Sequence, residues 1–225
     1  MQYKTIHVEA SRCYDIYIGK GLLTDVARLI RPLVGECRLA VITDSNVNAL
    51  HGERLMQLLE NDGYNVVKYV IPAGEASKCA ENLLAFLNFL ALEQITRSDA
   101  VIAFGGGVVG DLGGLSASLF LRGVKYIQVP PTLLAAVDSS VGGKTAVDIS
   151  AGKNLIGAFH QPSLVICDTA TLETLPANIL RDGYAEVIKY GVILDKKLFD
   201  ILSRSTKGNP EEIIARCISI KRDVV

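Results

Sequence analysis

An apolar run, Ala100-Val-Ile-Ala-Phe104, passes directly into Gly105-Gly106-Gly107-Val108-Val109-Gly110-Asp111 and then into Leu112-Gly-Gly-Leu-Ser-Ala-Ser-Leu-Phe-Leu121. The run reads as a buried strand, the glycines as a tight turn and the last stretch as a helix. Gly105, Gly107 and Gly110 fit G-x-G-x-x-G, in which absent side chains let backbone N–H groups and a helix N-terminus approach a pyrophosphate. The same pattern also suits a tight strand-to-helix turn that binds nothing. An ordinary dinucleotide fold is strained as a reading, because earlier strands precede the motif and the run 124–129 ends in Pro130 rather than an acidic residue.

Two further glycine-bearing segments follow. Asp138-Ser139-Ser140-Val141-Gly142-Gly143-Lys144-Thr145 places a lysine after paired glycines, yet a phosphate loop of the form G-x-x-x-x-G-K-[ST] would need glycine at Asp138. Nucleotide hydrolysis is thereby disfavoured. What remains is a low-bulk turn on which Lys144 can reach a phosphate as a point charge, with Ser139 and Ser140 as hydrogen-bond donors. Asp138 could hold a substrate hydroxyl or a lysine. A solvated loop is the bland alternative, and the apolar flanks at 133–137 and 156–159 weigh against it. In Gly152-Lys153-Asn154-Leu155-Ile156-Gly157, Lys153 and Asn154 add a charge and an amide to the same neighbourhood, or merely cap a turn.

Residues 3–8 and 13–18 read as a β-hairpin, 22–33 as an amphipathic helix ending near Pro32, and 38–43 as a buried strand. A helix at 47–61, a strand at 65–71 closed by Pro72 and a helix at 81–93 follow. Residues 99–104 and 125–129 complete the main sheet, and 164–168 is a further strand. After Thr174-Leu175-Pro176, the segments 178–194, 196–203 and 211–225 are all helix-like. The expected class is α/β. A Rossmann-like domain with a mainly parallel sheet and an N-terminal β-hairpin occupies 1–175, and the beginning of an all-α domain occupies 176–225.

With 225 residues and 49% hydrophobic content, the chain can bury the core of one full domain and part of another. A net charge of −1 offers no field for nucleic acid or a membrane surface. The cysteines are odd in number and free of C-x-x-C pairs, as thiols in a reducing compartment are. The opening Met-Gln-Tyr-Lys-Thr-Ile-His-Val alternates like a strand and lacks a secretory apolar region, and charged residues interrupt each apolar run before it reaches membrane-spanning length. A cytoplasmic protein is expected.

Taken together and in order, four segments resemble the 3-dehydroquinate synthase family. They are Gly-Gly-Gly-Val-Val-Gly-Asp at 105–111, Asp-Ser-Ser-Val-Gly-Gly-Lys-Thr at 138–145, Gly-Lys-Asn-Leu-Ile-Gly-Ala-Phe at 152–159 and Ala-Glu-Val-Ile-Lys-Tyr-Gly at 185–191. The likeness extends upstream to Thr43-Asp44-Ser45-Asn46-Val47 and Gly74-Glu75-Ala76-Ser77-Lys78 and covers nearly the whole chain. It implies a lyase of the shikimate pathway that converts a sugar phosphate, 3-deoxy-D-arabino-heptulosonate 7-phosphate, to 3-dehydroquinate and phosphate. NAD and zinc are the implied cofactors, with cobalt as the other candidate metal, and a homodimer is the implied assembly. In that family one carbinol is oxidised with bound NAD and phosphate leaves by β-elimination. The ketone is then reduced, and the ring opens and recloses in an aldol step.

The resemblance makes Glu186 a zinc ligand and sets Lys189, on the same helical face, against the substrate. Alone, the two read as a surface pair worth roughly a few tenths of a kcal/mol, although Ala185, Val187, Ile188 and Tyr190 make the helix too apolar for free solvation. Lys144, Lys153 and Asn154 are implied near the substrate and its phosphate, and Asp138 at the substrate hydroxyls. For NAD, the match implies Asp44 and Asn46 after an early strand, Glu75 and Lys78 before a helix, and Gly106, Gly107 and Asp111 at the pyrophosphate turn. Thr132, Ser139, Thr171, Leu172 and Thr174 fall on further contact positions. As lone acids, Asp44 and Glu75 also read as helix caps or first-turn acids. The amines at 144, 153 and 189 are thus expected to converge with the carboxylates at 138 and 186 on one cleft facing NAD.

Two departures from the family matter. Pro131 stands where a threonine is usual, replacing a hydroxyl by a ring without an N–H. The family also continues into a helical domain that carries two histidine zinc ligands, whereas His7, His51 and His160 fit no metal-ligand spacing. The expectation is a cofactor-binding part of a longer enzyme, with an incomplete site and no activity alone. The rivals are a related sugar-phosphate cyclase, a metal-dependent alcohol dehydrogenase and a non-enzymatic nucleotide-binding module.

Overall fold

The hairpin pairs β1 (Lys4–Val8) antiparallel with β2 (Tyr14–Gly19), and strands rich in valine and isoleucine then alternate with helices. They are β3 (Arg38–Asp44), β4 (Asn65–Ile71), β5 (Ala100–Phe104) and β6 (Lys125–Val129), followed after β7 (Lys144–Ile149) and β8 (Gly152–Phe159) by β9 (Leu164–Asp168). In this computed structural model, which describes residues 3–204 and 208–225, the seven-stranded sheet has the order β1-β2-β9-β6-β5-β3-β4. All its pairings but the first are parallel. Met1 and Gln2 of the alternating N-terminal run lie outside the described residues.

Every residue of β5 and β9 is buried, as a parallel strand covered on both faces must be. On one face, α1 (Val26–Val34) and α3 (Glu53–Asn61) set Ile30, Leu55 and Leu59 against Leu39, Val41, Ile102 and Phe104. On the other, α4 (Ala80–Leu92) and α5 (Gly107–Leu119) pack Phe86, Leu112 and Leu115 against Ala40, Ile42, Val101 and Ala103. The helices α6 (Ala177–Ile193), α7 (Lys196–Arg204) and α8 (Pro210–Arg222) follow the sheet. Val187, Ile214 and Ile218 share a core with Val8, Ile16, Ile18 and Val165. The α/β architecture with a mainly parallel sheet, an N-terminal hairpin and trailing helices is thus present.

Several local expectations are corrected. The segment from Lys144 to Phe159 is not a pair of turns but an antiparallel hairpin of β7 and β8, outside the main sheet. Its β7 buries Thr145 and Val147, while β8 is exposed along most of its length, so no alternation betrays it. The last strand, β9, lies between β2 and β6 and joins the N-terminal hairpin to the sheet. Helix α1 ends at Val34, one residue beyond the expected bound, with Pro32 inside its last turn. Helix α5 starts at Gly107 rather than Leu112. Its glycines cost helix propensity but allow close approach to the sheet: a Cβ on Gly113 would stand 3.0 Å from both Ala103 Cβ and Ile42 Cγ2.

Gly114 does the same toward the hairpin, for its Cβ would fall 2.4 Å from Thr145 Cγ2 and 3.0 Å from the Tyr126 ring. Gly114→Ala is expected to lower stability by about 1–2 kcal/mol, overpacking exceeding the propensity gain. A lower denaturant midpoint at unchanged slope is the check.

Candidate active site

Strand β3 has β4 on one side and β5 on the other, so the winding reverses there. An open α/β sheet has its binding crevice outside the carboxyl ends at such a point. Helix α5 begins in this place, with Gly106 at its N-cap and the positive end of its dipole facing out. A Cβ on Gly106 would stand 3.7 Å from the Thr132 side chain, and one on Gly107 3.4 Å from Ser139 Oγ. Turn and hydroxyls therefore border one cradle without side-chain bulk, which suits a pyrophosphate.

The neighbouring groups come from the same edge. Asp44 ends β3 and caps the short helix α2 (Ser45–Val47), accepting from the N–H groups of Asn46 at 2.9 Å and Val47 at 3.1 Å. Asn46 is exposed. Glu75 opens a turn before α4 and meets Lys153 Nζ at 3.0 Å. Buried Lys78 lies 2.5 Å from Asp111 Oδ2. Burial pushes the Asp111 carboxyl up by more than the Lys78 bond and charge pull it down. Thr171, Leu172 and Thr174 occupy the 3-10 segment Thr169–Thr174 after β9.

Beside this edge opens a cleft of about 800 Å³. Asp111, Asp138 and Ser139 line it from the sheet side, Lys144 and Asn154 from the hairpin, Lys189 and Tyr190 from α6, and Lys221 from α8. Gly142 (φ 100°) and Gly143 (φ 66°) make the left-handed turn that delivers Lys144, a backbone that glycine adopts without strain. Among the described residues Lys144 Nζ has neither an ion-pair nor a hydrogen-bond partner. Asp138 Oδ1 accepts from Lys221 Nζ at 2.7 Å and from the Tyr190 hydroxyl at 2.9 Å, and Lys221 donates also to the Asp138 carbonyl at 2.6 Å. Burial pushes the Asp138 carboxyl up, but Lys221 and then Tyr190 more than offset it, leaving the group below its ordinary value. Burial, with the bond to Asp138, drives the Tyr190 phenol far up, so that it keeps its proton.

The five groups expected on one cleft divide. Asp138, Lys144 and Lys189 line it, while Lys153 and Glu186 do not. Lys153 is paired with Glu75, although the next residue, Asn154, whose φ is 57°, lines the cleft. Glu186 is paired with Lys189 one turn along α6. Lys221 escaped the sequence reading, since one lysine near the end of an amphipathic helix looks like any solvated charge. Among the described residues no three His, Cys, Asp or Glu side chains come together, so Glu186 has no companion ligands and the donor set does not make a metal site. No helix among them is long and apolar enough to cross a membrane.

The profile described as 3-dehydroquinate synthase N-terminal matches residues 68–182, and that described as 3-dehydroquinate synthase C-terminal matches 183–225. A 3-dehydroquinate synthase of Clostridium acetobutylicum is 45% identical over 228 residues, covering 99% of this chain and 64% of the relative. One of Paracoccus denitrificans is 44% identical over 225 residues, covering 100% and 61%. The chain thus spans somewhat under two thirds of these relatives' length. A solved 2-deoxy-scyllo-inosose synthase complexed with carbaglucose-6-phosphate, NAD+ and Co2+ superposes with a TM-score of 0.88 at 30% identity, covering 98% of this chain and 62% of that one. The 2-epi-5-epi-valiolone synthase ValA of Streptomyces hygroscopicus, with NAD+ and Zn2+ bound, gives 0.84 at 29%, covering 95% and 61%. An iron-containing alcohol dehydrogenase of Thermococcus thioreducens, at 0.72 and 18%, covers 93% of this chain and 64% of that one, and shares the fold alone.

Proposed function

The chain belongs to the 3-dehydroquinate synthase family, and from that premise we propose that it supplies the NAD- and phosphate-binding part of an enzyme converting 3-deoxy-D-arabino-heptulosonate 7-phosphate to 3-dehydroquinate and phosphate, a lyase of aromatic amino acid biosynthesis. The observation that carries the reading is a Lys144 without a partner among the described residues, in one cleft with Lys189, Lys221 and Asp138, beside the N-terminus of α5. Amines grouped beside a helix N-terminus suit an anion next to a dinucleotide.

Bound NAD would take a hydride from one substrate carbinol and return it in the same turnover. Gly106 and Gly107 would hold its pyrophosphate through their N–H groups, with Asp111, Thr132 and Ser139 alongside. Asp44 and Asn46, Glu75 and Lys78, and Thr171, Leu172 and Thr174 would meet the rest. Lys144 and Lys189 would neutralise the departing phosphate as point charges, aided by the Asn154 amide and, after release from Glu75, by Lys153. Asp138, kept ionised by Lys221, would accept a hydrogen bond from a substrate hydroxyl. Glu186 is proposed as one ligand of a zinc or cobalt ion.

The same reading makes residues 1–175 the cofactor domain and 176–225 the start of the helical one, in a cytoplasmic homodimer that is inactive as this chain alone. Its five cysteines are all free, as a reducing compartment would leave them. The likeness to 2-deoxy-scyllo-inosose synthase favours a second reading, a related sugar-phosphate cyclase. The identity to the Clostridium enzyme is higher, which ranks the synthase first. An alcohol dehydrogenase would have no use for a phosphate held by lysines.

The chain, joined to the segment of its relatives that it does not span, is to be incubated with the heptulosonate phosphate and NAD+. Phosphate release with 3-dehydroquinate formed and no net NADH is expected. Release of phosphate only from a different sugar phosphate supports the cyclase reading, and steady NADH accumulation from an alcohol overturns both.

A further inference from the structure

His51 and Thr174 are separated by 123 positions, yet His51 Nε2 lies 2.9 Å from Thr174 Oγ1. The Thr174 hydroxyl gives its single proton to the Thr171 carbonyl at 2.8 Å, so toward His51 it can only accept. His51 Nε2 must therefore carry a hydrogen. The series continues inward: Thr171 Oγ1 donates to the Asp168 carbonyl at 2.7 Å. The Asp168 carboxylate accepts from the N–H groups of Ala170 at 2.9 Å, Gly21 at 2.7 Å and Leu23 at 2.9 Å.

The place of this contact in the fold gives it meaning. His51 stands in the π-helical turn Asn48–Gly52 that follows β3 and α2, and Thr174 ends the segment that follows β9. Strands β5 and β6 lie between β3 and β9 in the sheet. The bond therefore spans the carboxyl edge of two strands, with the His51 ring centroid 6.2 Å from that of Phe104 at the end of β5. It links the segment that carries Asp44 and Asn46 to the segment that carries Thr171, Leu172 and Thr174.

We infer that His51 is a positioning residue of the cofactor groove, whose Nε2–H clasps Thr174 and fixes the Thr169–Thr174 segment at the spacing from the β3–α2 turn that a dinucleotide needs. The inference rests on reading that groove as an NAD site. Burial and Arg54 hold the imidazole below its ordinary value, with Asp168 acting the other way. At neutral pH the ring is thus uncharged with its proton on Nε2. Protonation at Nδ1 would leave the clasp in place.

Calorimetric titration of NAD+ into the chain and into His51→Phe, His51→Gln, Thr174→Val and the His51→Phe/Thr174→Val double variant tests this. His51→Phe is expected to weaken binding about 3- to 10-fold, the range of one hydrogen bond. His51→Gln, which can donate from its amide, should recover most of the loss. The double variant should be no weaker than the weaker single one, because the two changes remove the same bond. Nitrogen-15 spectra of the unliganded protein should show the Nε2–H tautomer. Equal loss in the Phe and Gln variants, additive losses, an Nδ1–H tautomer, or unchanged affinity in all variants would overturn the inference while leaving the NAD reading standing. Absence of NAD+ binding by the unaltered chain would remove that reading and this inference together.

Discussion

Gly106→Ala is expected to leave folding stability unchanged and to weaken NAD+ binding about 10- to 100-fold, whereas Gly105→Ala is expected to do the reverse, costing about 1–3 kcal/mol of stability. The two glycines are adjacent and look alike in the sequence, but their surroundings differ. A Cβ on Gly105 would lie 2.5 Å from both Cβ and Cγ2 of Val109 and 2.9 Å from its Cγ1. Val109 is 1% exposed and branched at Cβ inside a helix, so it has no other rotamer to retreat into. Gly106 has φ −67° and ψ −169°, an extended backbone open to alanine, and its Cβ would meet nothing nearer than Thr132 at 3.7 Å. The methyl group would instead occupy the cradle before the α5 N–H groups, where a pyrophosphate must come close. Denaturant midpoints and NAD+ titrations of both variants decide the matter. Undiminished NAD+ binding by a well-folded Gly106→Ala would show that the turn is only a packing device.

That contrast bears on what the sequence could reveal. The buried strands announce themselves because a parallel strand covered on both faces is a short, unbroken run of Val, Ile, Leu and Ala, as in 39–42 and 100–103. The turn at 105–110 is legible as a motif, yet nothing local shows that Gly107 and Gly110 already belong to α5, since local propensity opposes a helix that tertiary packing enforces. The β7–β8 hairpin stays hidden for the opposite reason. It buries little, carries Gly, Lys, Asp and Ser, and takes its stability from α5 beneath it, none of which leaves a period-2 pattern. In the site, Asp138 and Lys144 stand out through their glycine-rich setting. Lys221 and His51 do not, because their roles arise from contacts to residues 83 and 123 positions away. Such pairings are set by the topology of the chain and have no local signature.

The Asp138–Lys221 contact carries the other large expected effect. Asp138→Ala is expected to destabilise the chain by about 2–4 kcal/mol at neutral pH. This is somewhat less than a fully buried pair would lose, since a third of the carboxylate side chain remains in water. The carboxylate is 34% exposed and Lys221 14%, and removing it takes the carboxylate acceptor from the ammonium and from the Tyr190 hydroxyl in a partly apolar wall. Lys221 keeps its bond to the Asp138 carbonyl in that variant. A cycle with Lys221→Met therefore isolates the side-chain pair, and the losses should be markedly non-additive. The pH dependence has a fixed sign. Because Lys221 and Tyr190 hold the folded carboxyl below its ordinary 3.8, its contribution is complete above that value and fades as pH falls through the lower folded value. The stability gap between the unaltered chain and Asp138→Asn should accordingly be constant from neutral pH to about 5 and close as pH drops below about 4. Denaturation curves across that range check it, and a gap that widened on acidification would mean that burial, not Lys221, dominates at Asp138. The same measurement bears on chemistry, for a carboxylate kept charged by Lys221 at neutral pH is one that can accept a hydrogen bond from a substrate hydroxyl in the cleft.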